Sequence, residues 1–356
     1  MHTSLGGSPV ATTPSASGSR GASTTRRSCA MSDRIAVVDI GSNSVKLLVL
    51  DGNDTLHRDS VVTRLGTGVA DTGNLADESV ADTLQRLAEI KNIVESHGIT
   101  DLHAVATAAV RSANNSGPFI AQAERTLGCD VTVIDGVTEG TLAFIGAQRN
   151  LEHVIGTEPL TVLDVGGGST EFSIGFPGST PRVASIPYGA RNLTERILEH
   201  DPPRPEELTN AIGAVIDEID DVVREIPELE SCDRLVGVAG TVVTIAMVEL
   251  GLHEFDAQVL HGMELTKEAA EDVFRTLATE TLADRIHNPG LPADRADIIV
   301  GGCCVLVAVL RKLQLPAITV STTALADGVA VVARTSAARL GAGARLADVL
   351  RDFSLS

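Results

Sequence analysis

Aromatic residues are nearly missing from this chain. Phe, Tyr and Trp make up 2% of its 356 residues, with no Trp and a single tyrosine, Tyr188. Stacking on nucleobases, the usual grip of single-strand binders, is scarcely available, and the core has to be filled with Val, Ile, Leu and Ala. Positive charge is short as well. Lys and Arg number 28 against 47 Asp and Glu, a formal net charge of -19, which argues against DNA or an anionic membrane as a partner. A polyanionic substrate would be repelled at long range, so holding one requires a local site and a divalent cation. No window approaches 18 uninterrupted apolar residues, so no membrane span is expected. The five cysteines (Cys29, Cys129, Cys232, Cys303, Cys304) include no CxxC and no His-paired metal spacing. They read as free thiols of a reducing, cytoplasmic compartment, with Cys303 and Cys304 as small fillers. The histidines form no HExxH, and His261 in HGMEL has no assigned part. Neither a GxSxG elbow nor a GxxxxGK[ST] loop occurs, which argues against serine hydrolysis and a P-loop.

What the chain does have is a stretch unlike ordinary fold-making sequence, TVLDVGGGSTEFSI at 161–174. An apolar run reaches Asp164, three glycines follow, then Ser169, Thr170 and Glu171, then a second apolar run. The pattern reads as strand, tight turn, strand. Gly166, Gly167 and Gly168 permit positive φ and clear the turn of side chains, so that backbone N–H groups can converge on an anion. Acids on either side would repel phosphate unless a cation sits between them. The same wording occurs earlier, in IAVVDIGSNSVKLLVL at 35–50. Laying Asp39 on Asp164 puts Gly41 on Gly166, Ser44 on Ser169 and Lys46 on Glu171. Two copies of one hairpin suggest duplicated lobes whose turns face each other across a cleft.

The length suits two domains with separate cores. Residues 1–33, rich in Ser, Thr, Gly and Ala and without an apolar h-region, read as a disordered extension, with Met31 a candidate natural start. An N-terminal lobe is expected at 34–152 and a C-terminal lobe at 158–335, followed by a tail at 336–356. Helical spacing runs from Leu75 to His97, Phe119 to Leu127, Leu208 to Arg224, Lys267 to Leu282 and Cys303 to Leu313. Short strands are expected at 102–105, 131–134, 183–187, 235–238 and 318–321, giving mixed sheets with helices against them.

Each candidate residue has a functional and a plain reading. Asp39 and Asp164 suit a hard cation such as Mg²⁺ held partly through water, or are turn residues bonding their own backbone. Glu139, before an apolar helix, is a reactive carboxylate or a favourable charge at a helix start. Glu171 is a ligand or a solvated strand residue. Arg111 takes phosphate bidentately or forms a surface ion pair, and Lys46 belongs to an exposed face.

Taken together, DIGSNS, ATAAVRSANN, DGVTEGTLAF, LDVGGGSTEFSIG, YGARNLTE, GVAGT and RADIIVGG resemble the Ppx/GppA family of exopolyphosphatases and guanosine pentaphosphate phosphohydrolases, from about Arg34 to about Arg334. The resemblance implies the α/β actin-like ATPase (ribonuclease H-like) fold, two βββαβα lobes around a cleft, in the short form without a C-terminal HD-like domain. It implies that Glu139 aligns or deprotonates the attacking water and that Arg111 contacts phosphate. It places Asp39, Asp164 and Glu171 at the magnesium. Ser42, Asn43, Ser44, Asn115, Gly166, Gly167, Gly168 and Ser169 would cradle phosphate. Two positions depart from the pattern: Thr138 stands where relatives often carry a second acid, and LADG (325–328) replaces an LREG-like turn. The expected reaction is Mg²⁺-assisted hydrolysis of the terminal phosphate of inorganic polyphosphate, by a homodimer. The alternatives are hydrolysis of pppGpp, a non-catalytic nucleotide or polyphosphate sensor, and an actin-like kinase or ATPase.

Overall fold

The computed structural model describes residues 34–231, 234–340 and 345–354. The expected extension at 1–33 lies outside them.

Two mixed sheets carry the architecture. The first contains β1 (Arg34–Ile40), β2 (Ser44–Asp51), β3 (Asp54–Val62), β4 (Leu102–Ala106) and β5 (Val131–Val133), in the order β3-β2-β1-β4-β5. The second contains β6 (Leu160–Val165), β7 (Thr170–Gly175), β8 (Arg182–Ile186), β9 (Leu235–Val238), β10 (Glu264–Thr266) and β11 (Ala317–Val320), in the order β10-β11-β9-β6-β7-β8. Read from β8 to β11, the second sheet repeats the first, with β10 added at its edge. In both, two antiparallel pairings lead into parallel ones. This repeated βββαβα order is the actin-like fold.

The central strands are apolar on both faces because helices cover both. Along β1, Ala36, Val38 and Ile40 pack with Leu87, Ile90 and Phe119 of the helices Asp77–Ser96 and Ser116–Leu127. Ile35 and Val37, on the opposite face, pack with Val329 and Val332 of the helix Leu325–Leu340 and with Leu346, Val349 and Leu350 of the helix Leu346–Ser354. The stretch from 336, expected as a tail, thus contributes buried side chains to the first sheet. Among the described residues, no helix is long and apolar enough to cross a membrane.

Two helices change sides. The helix Gly136–Ala147 follows the first sheet in sequence, yet its Ala143 and Phe144 pack with Leu160, Val162, Val236 and Val238 of the second. The helix Leu325–Leu340 follows the second sheet and packs on the first. They cross where neither has a side chain: a Cβ on Gly146 would lie 1.9 Å from the carbonyl oxygen of Ala324, and one on Gly328 would lie 1.9 Å from that of Leu142. The crossing brings the start of Gly136–Ala147, with Glu139, to the space between the sheets.

β3 and β10 have no counterpart in the sequence reading. β3, DTLHRDSVV, is polar and half exposed, and its pairing with β2 rather than its own pattern makes it a strand.

Candidate active site

The two hairpin turns close in the same way. Gly41 N–H donates to Ser44 O at 3.1 Å, and Gly166 N–H donates to Ser169 O at 3.0 Å. The turns then meet. A Cβ on Gly167 would lie 3.1 Å from Asn43 Cβ, and one on Gly168 would lie 2.8 Å from Ser42 Oγ. None of Gly41, Gly166, Gly167 and Gly168 is among the residues with positive φ, so the expectation on that point is corrected. A side chain at 167 or 168 would crowd Asn43 and Ser42 of the first turn. Ser42 is held by the N–H of Ala109, which donates to its Oγ at 3.1 Å. Ala190 N–H and Arg191 N–H, at the start of the helix Ala190–Ile197, donate to Gly166 O and Gly167 O, both at 2.9 Å.

Both turns line one cleft, together with Asp39, Lys46, Glu139, Asp164 and Arg295. A cavity of about 750 Å³ adjoins it, sharing Asp39, Lys46, Gly240 and Arg295 and adding Val243, Met247, Phe255 and Ile286.

The acids are buried and crowded. Asp39 Oδ2 accepts from Lys46 Nζ at 2.7 Å, and Asp39 Oδ1 has no hydrogen-bond partner among the described residues. Lys46 is therefore not a plain surface residue. Burial works against its charge, but Asp39 and Asp164 outweigh it and raise its pKa. Asp164 is pushed up to about 6, first by burial and against the pull of Lys46. Glu139 accepts from Arg111 Nη1 at 3.1 Å. Burial first, then the Asp164 charge, push it up to about 7 against the pull of Arg111. Glu171 is held well above the usual carboxylate range by burial and by Glu139 and Asp164. Its Oε1 accepts from Ser185 Oγ at 2.8 Å, and its Oε2 has no partner among the described residues. Asp39 Oδ1 and Glu171 Oε2, buried carboxylate oxygens without donors, are of the type that suits a hard divalent cation, although with Asp164 they do not gather within reach of one ion as placed.

The Ppx/GppA phosphatase family matches residues 49–336. This chain belongs to that family. It is 31% identical over 315 residues to exopolyphosphatase 2 of Mycobacterium tuberculosis, covering 84% of this chain and 98% of that one. It is 29% identical over 300 residues to exopolyphosphatase 1 of Mycobacterium leprae, covering 83% and 88%. The crystal structure of an exopolyphosphatase from Cytophaga hutchinsonii superposes with a TM-score of 0.73 at 28% identity, covering 84% and 97%. That of an Aquifex aeolicus Ppx/GppA family member gives 0.68 at 30% identity, covering 85% and 98%.

In this Ppx/GppA chain most of the expected residues line the cleft, and three are placed differently from expectation. Asn115 does not line the cleft. Its Oδ1 accepts from Leu75 N–H at 2.8 Å and its Nδ2 donates to Leu75 O at 2.9 Å, so its amide is spent on clamping the loop before the helix Asp77–Ser96. Arg111 meets Glu139 and donates to Ile134 O at 2.6 Å, a carboxylate-holding geometry. Glu171 lies under the helix that carries Glu139: a Cβ on Gly140 would meet Glu171 Cβ at 3.2 Å.

Arg295, Arg191 and Asp327 had no assigned part in the sequence reading. Arg295 lies directly over Gly240, where a Cβ would strike its guanidinium. It sits in a short 3₁₀ turn of ordinary composition, and its one signal in the sequence is the RADIIVGG stretch. Asp327, fully buried in the LADG turn, accepts from Arg58 at 2.6 and 3.0 Å and from Arg149 at 2.9 Å. His261 is structural: its Nδ1 accepts from Thr322 N–H at 3.1 Å, and its Nε2 lies 3.1 Å from Arg149 O. Cys303 and Cys304 are fully buried fillers, and burial pushes the Cys303 thiol up to about 12.

Proposed function

We propose that this chain is an exopolyphosphatase, a phosphoanhydride hydrolase that removes the terminal phosphate of inorganic polyphosphate with a divalent cation, Mg²⁺ by its donor set. The observation that carries the reading is Glu139. A buried carboxylate with a pKa near neutrality stands in the wall of a cleft made by two anion-binding turns, oriented by Arg111. Such a group holds a water against phosphorus and takes its proton as the new P–O bond forms. The N–H groups of the two turns and the charges of Lys46 and Arg295 hold the non-bridging oxygens. Asp39, Asp164 and Glu171 would hold the cation, which supplies further charge neutralisation when bound.

The lobes at 34–152 and 158–335, bridged by the two crossing helices, provide the walls. The exopolyphosphatase names of the relatives favour polyphosphate over pppGpp. The family resemblance supports a cytoplasmic homodimer.

Phosphate release from tripolyphosphate, long polyphosphate and pppGpp, each with and without Mg²⁺, tests the proposal. Release from polyphosphate that requires the cation is expected. Release from pppGpp alone, or from none of the three, would overturn it.

A further inference from the structure

The Asn43 side-chain amide is held in one sense. Its Oδ1 accepts from Arg191 Nε at 3.1 Å and from Nη2 at 2.5 Å. Its Nδ2 is buried without a partner among the described residues, and Asn43 lines the cleft. A guanidinium can only donate, so the amide oxygen has to face Arg191 and the NH₂ has to turn away from it. A buried NH₂ without an acceptor is unfavourable, and an anion in the cleft would satisfy it.

We propose that Arg191 is a positioning residue that fixes the Asn43 amide, so that its NH₂ rather than its oxygen meets a phosphate oxygen of the substrate. This rests on the phosphohydrolase reading of the cleft. Arg191 is itself tied from both sides. Its N–H holds Gly167 O of the second turn, while its side chain reaches Asn43 of the first. Nη1 and Nη2 also reach Glu195 and Asp297, each at 3.4 Å. Glu195 in turn accepts from Gly68 N–H at 3.2 Å, and Asp297 from Arg64 Nε at 3.3 Å. Arg64 N–H donates to Asn43 O at 3.0 Å, which closes the ring of contacts. The Asn43 donor is therefore presented only while the two turns are together. Without Arg191 the amide turns over, and its oxygen meets phosphate as a repelling acceptor.

Steady-state hydrolysis of tripolyphosphate with Mg²⁺ by Arg191→Val, Arg191→Lys, Asn43→Ala and the Asn43→Ala/Arg191→Val pair tests this. Arg191→Val should raise KM about tenfold and leave kcat within about threefold. Arg191→Lys, which keeps a donor, should recover part of the loss. In the Asn43→Ala background Arg191→Val should change KM by less than about twofold. Thermal melting of the same proteins reads a purely structural effect, which would be alike in both backgrounds. If Arg191→Val does not fold, Arg191→Lys carries the comparison. An unchanged KM in the otherwise wild-type chain, or an equal rise in both backgrounds, would overturn the proposal. Failure of the wild type to release phosphate sinks the functional reading instead. The same four proteins titrated with inorganic phosphate then decide the role of Arg191, by the same pattern in Kd.

Discussion

Asp164 faces Glu171 across β6 and β7, in the register position that sets Asp39 against Lys46 across β1 and β2. Directly opposed side chains share one face of a sheet, so opposite charges there attract and like charges repel. One hairpin is neutralised from within. The other places two buried acids together, an arrangement that a proton or a cation would complete. The duplicated turns are thus alike in backbone and different in chemistry, and the difference gives the cleft its polarity.

Replacing Glu139 by Gln keeps its size and its bond to Arg111 but removes the base. Phosphate release from polyphosphate should fall by roughly 10² to 10⁴. Binding of substrate, followed by calorimetry, should persist. Turnover within a few-fold of wild type would remove Glu139 from the mechanism.

The raised carboxylates dictate how stability follows pH. Glu139, at about 7, and Asp164, at about 6, bind protons in the fold more tightly than in the unfolded chain. Their contribution is complete below the ordinary carboxylate values near 4 and is lost as pH rises through about 7. In chelator, the melting temperature should therefore fall between pH 5 and pH 8. Added Mg²⁺ should offset the fall, because a cation replaces the protons. A melting temperature constant across this range would show that the fold does not raise these two acids.

Glu171→Gln isolates the opposed pair. With chelator the advantage of the variant over wild type should grow as pH rises, because the wild type must either keep a proton on Glu171 or bury a second charge beside Asp164. The same variant should lose most of the stabilisation that Mg²⁺ provides, read in the same melting series. Retention of the full Mg²⁺ effect would place the cation elsewhere.

Gly146→Ala tests the helix crossing. A methyl group 1.9 Å from the Ala324 carbonyl oxygen forces two backbones apart, and a cost of at least about 3 kcal/mol is expected. Denaturant unfolding measures it. A cost under about 1 kcal/mol would mean that the crossing yields easily.

Much of the candidate site is legible in the sequence. The hairpins announce themselves locally, because an apolar run, an acid and small residues in a turn leave few conformations open. Glu139 and Arg111 were readable only through the wording around them, since one acid before a helix is ordinary by itself. Asn115 shows the limit of that wording: the residue stands in the motif, but its two amide atoms serve Leu75.

The sequence alone determined the two hairpins, their acids and glycines, and the helices and strands with clear periodicity, because those depend on neighbours along the chain. Only the tertiary structure decided that Lys46 neutralises Asp39, that Arg191 grips Asn43 and that Arg295 lies over Gly240. It also decided that the helices Gly136–Ala147 and Leu325–Leu340 exchange sides. Apart from the Lys46–Asp39 pair, which faces across one hairpin, these depend on groups far apart in sequence meeting, and at the helix crossing on two backbones close enough to exclude a methyl group; no local pattern records that distance.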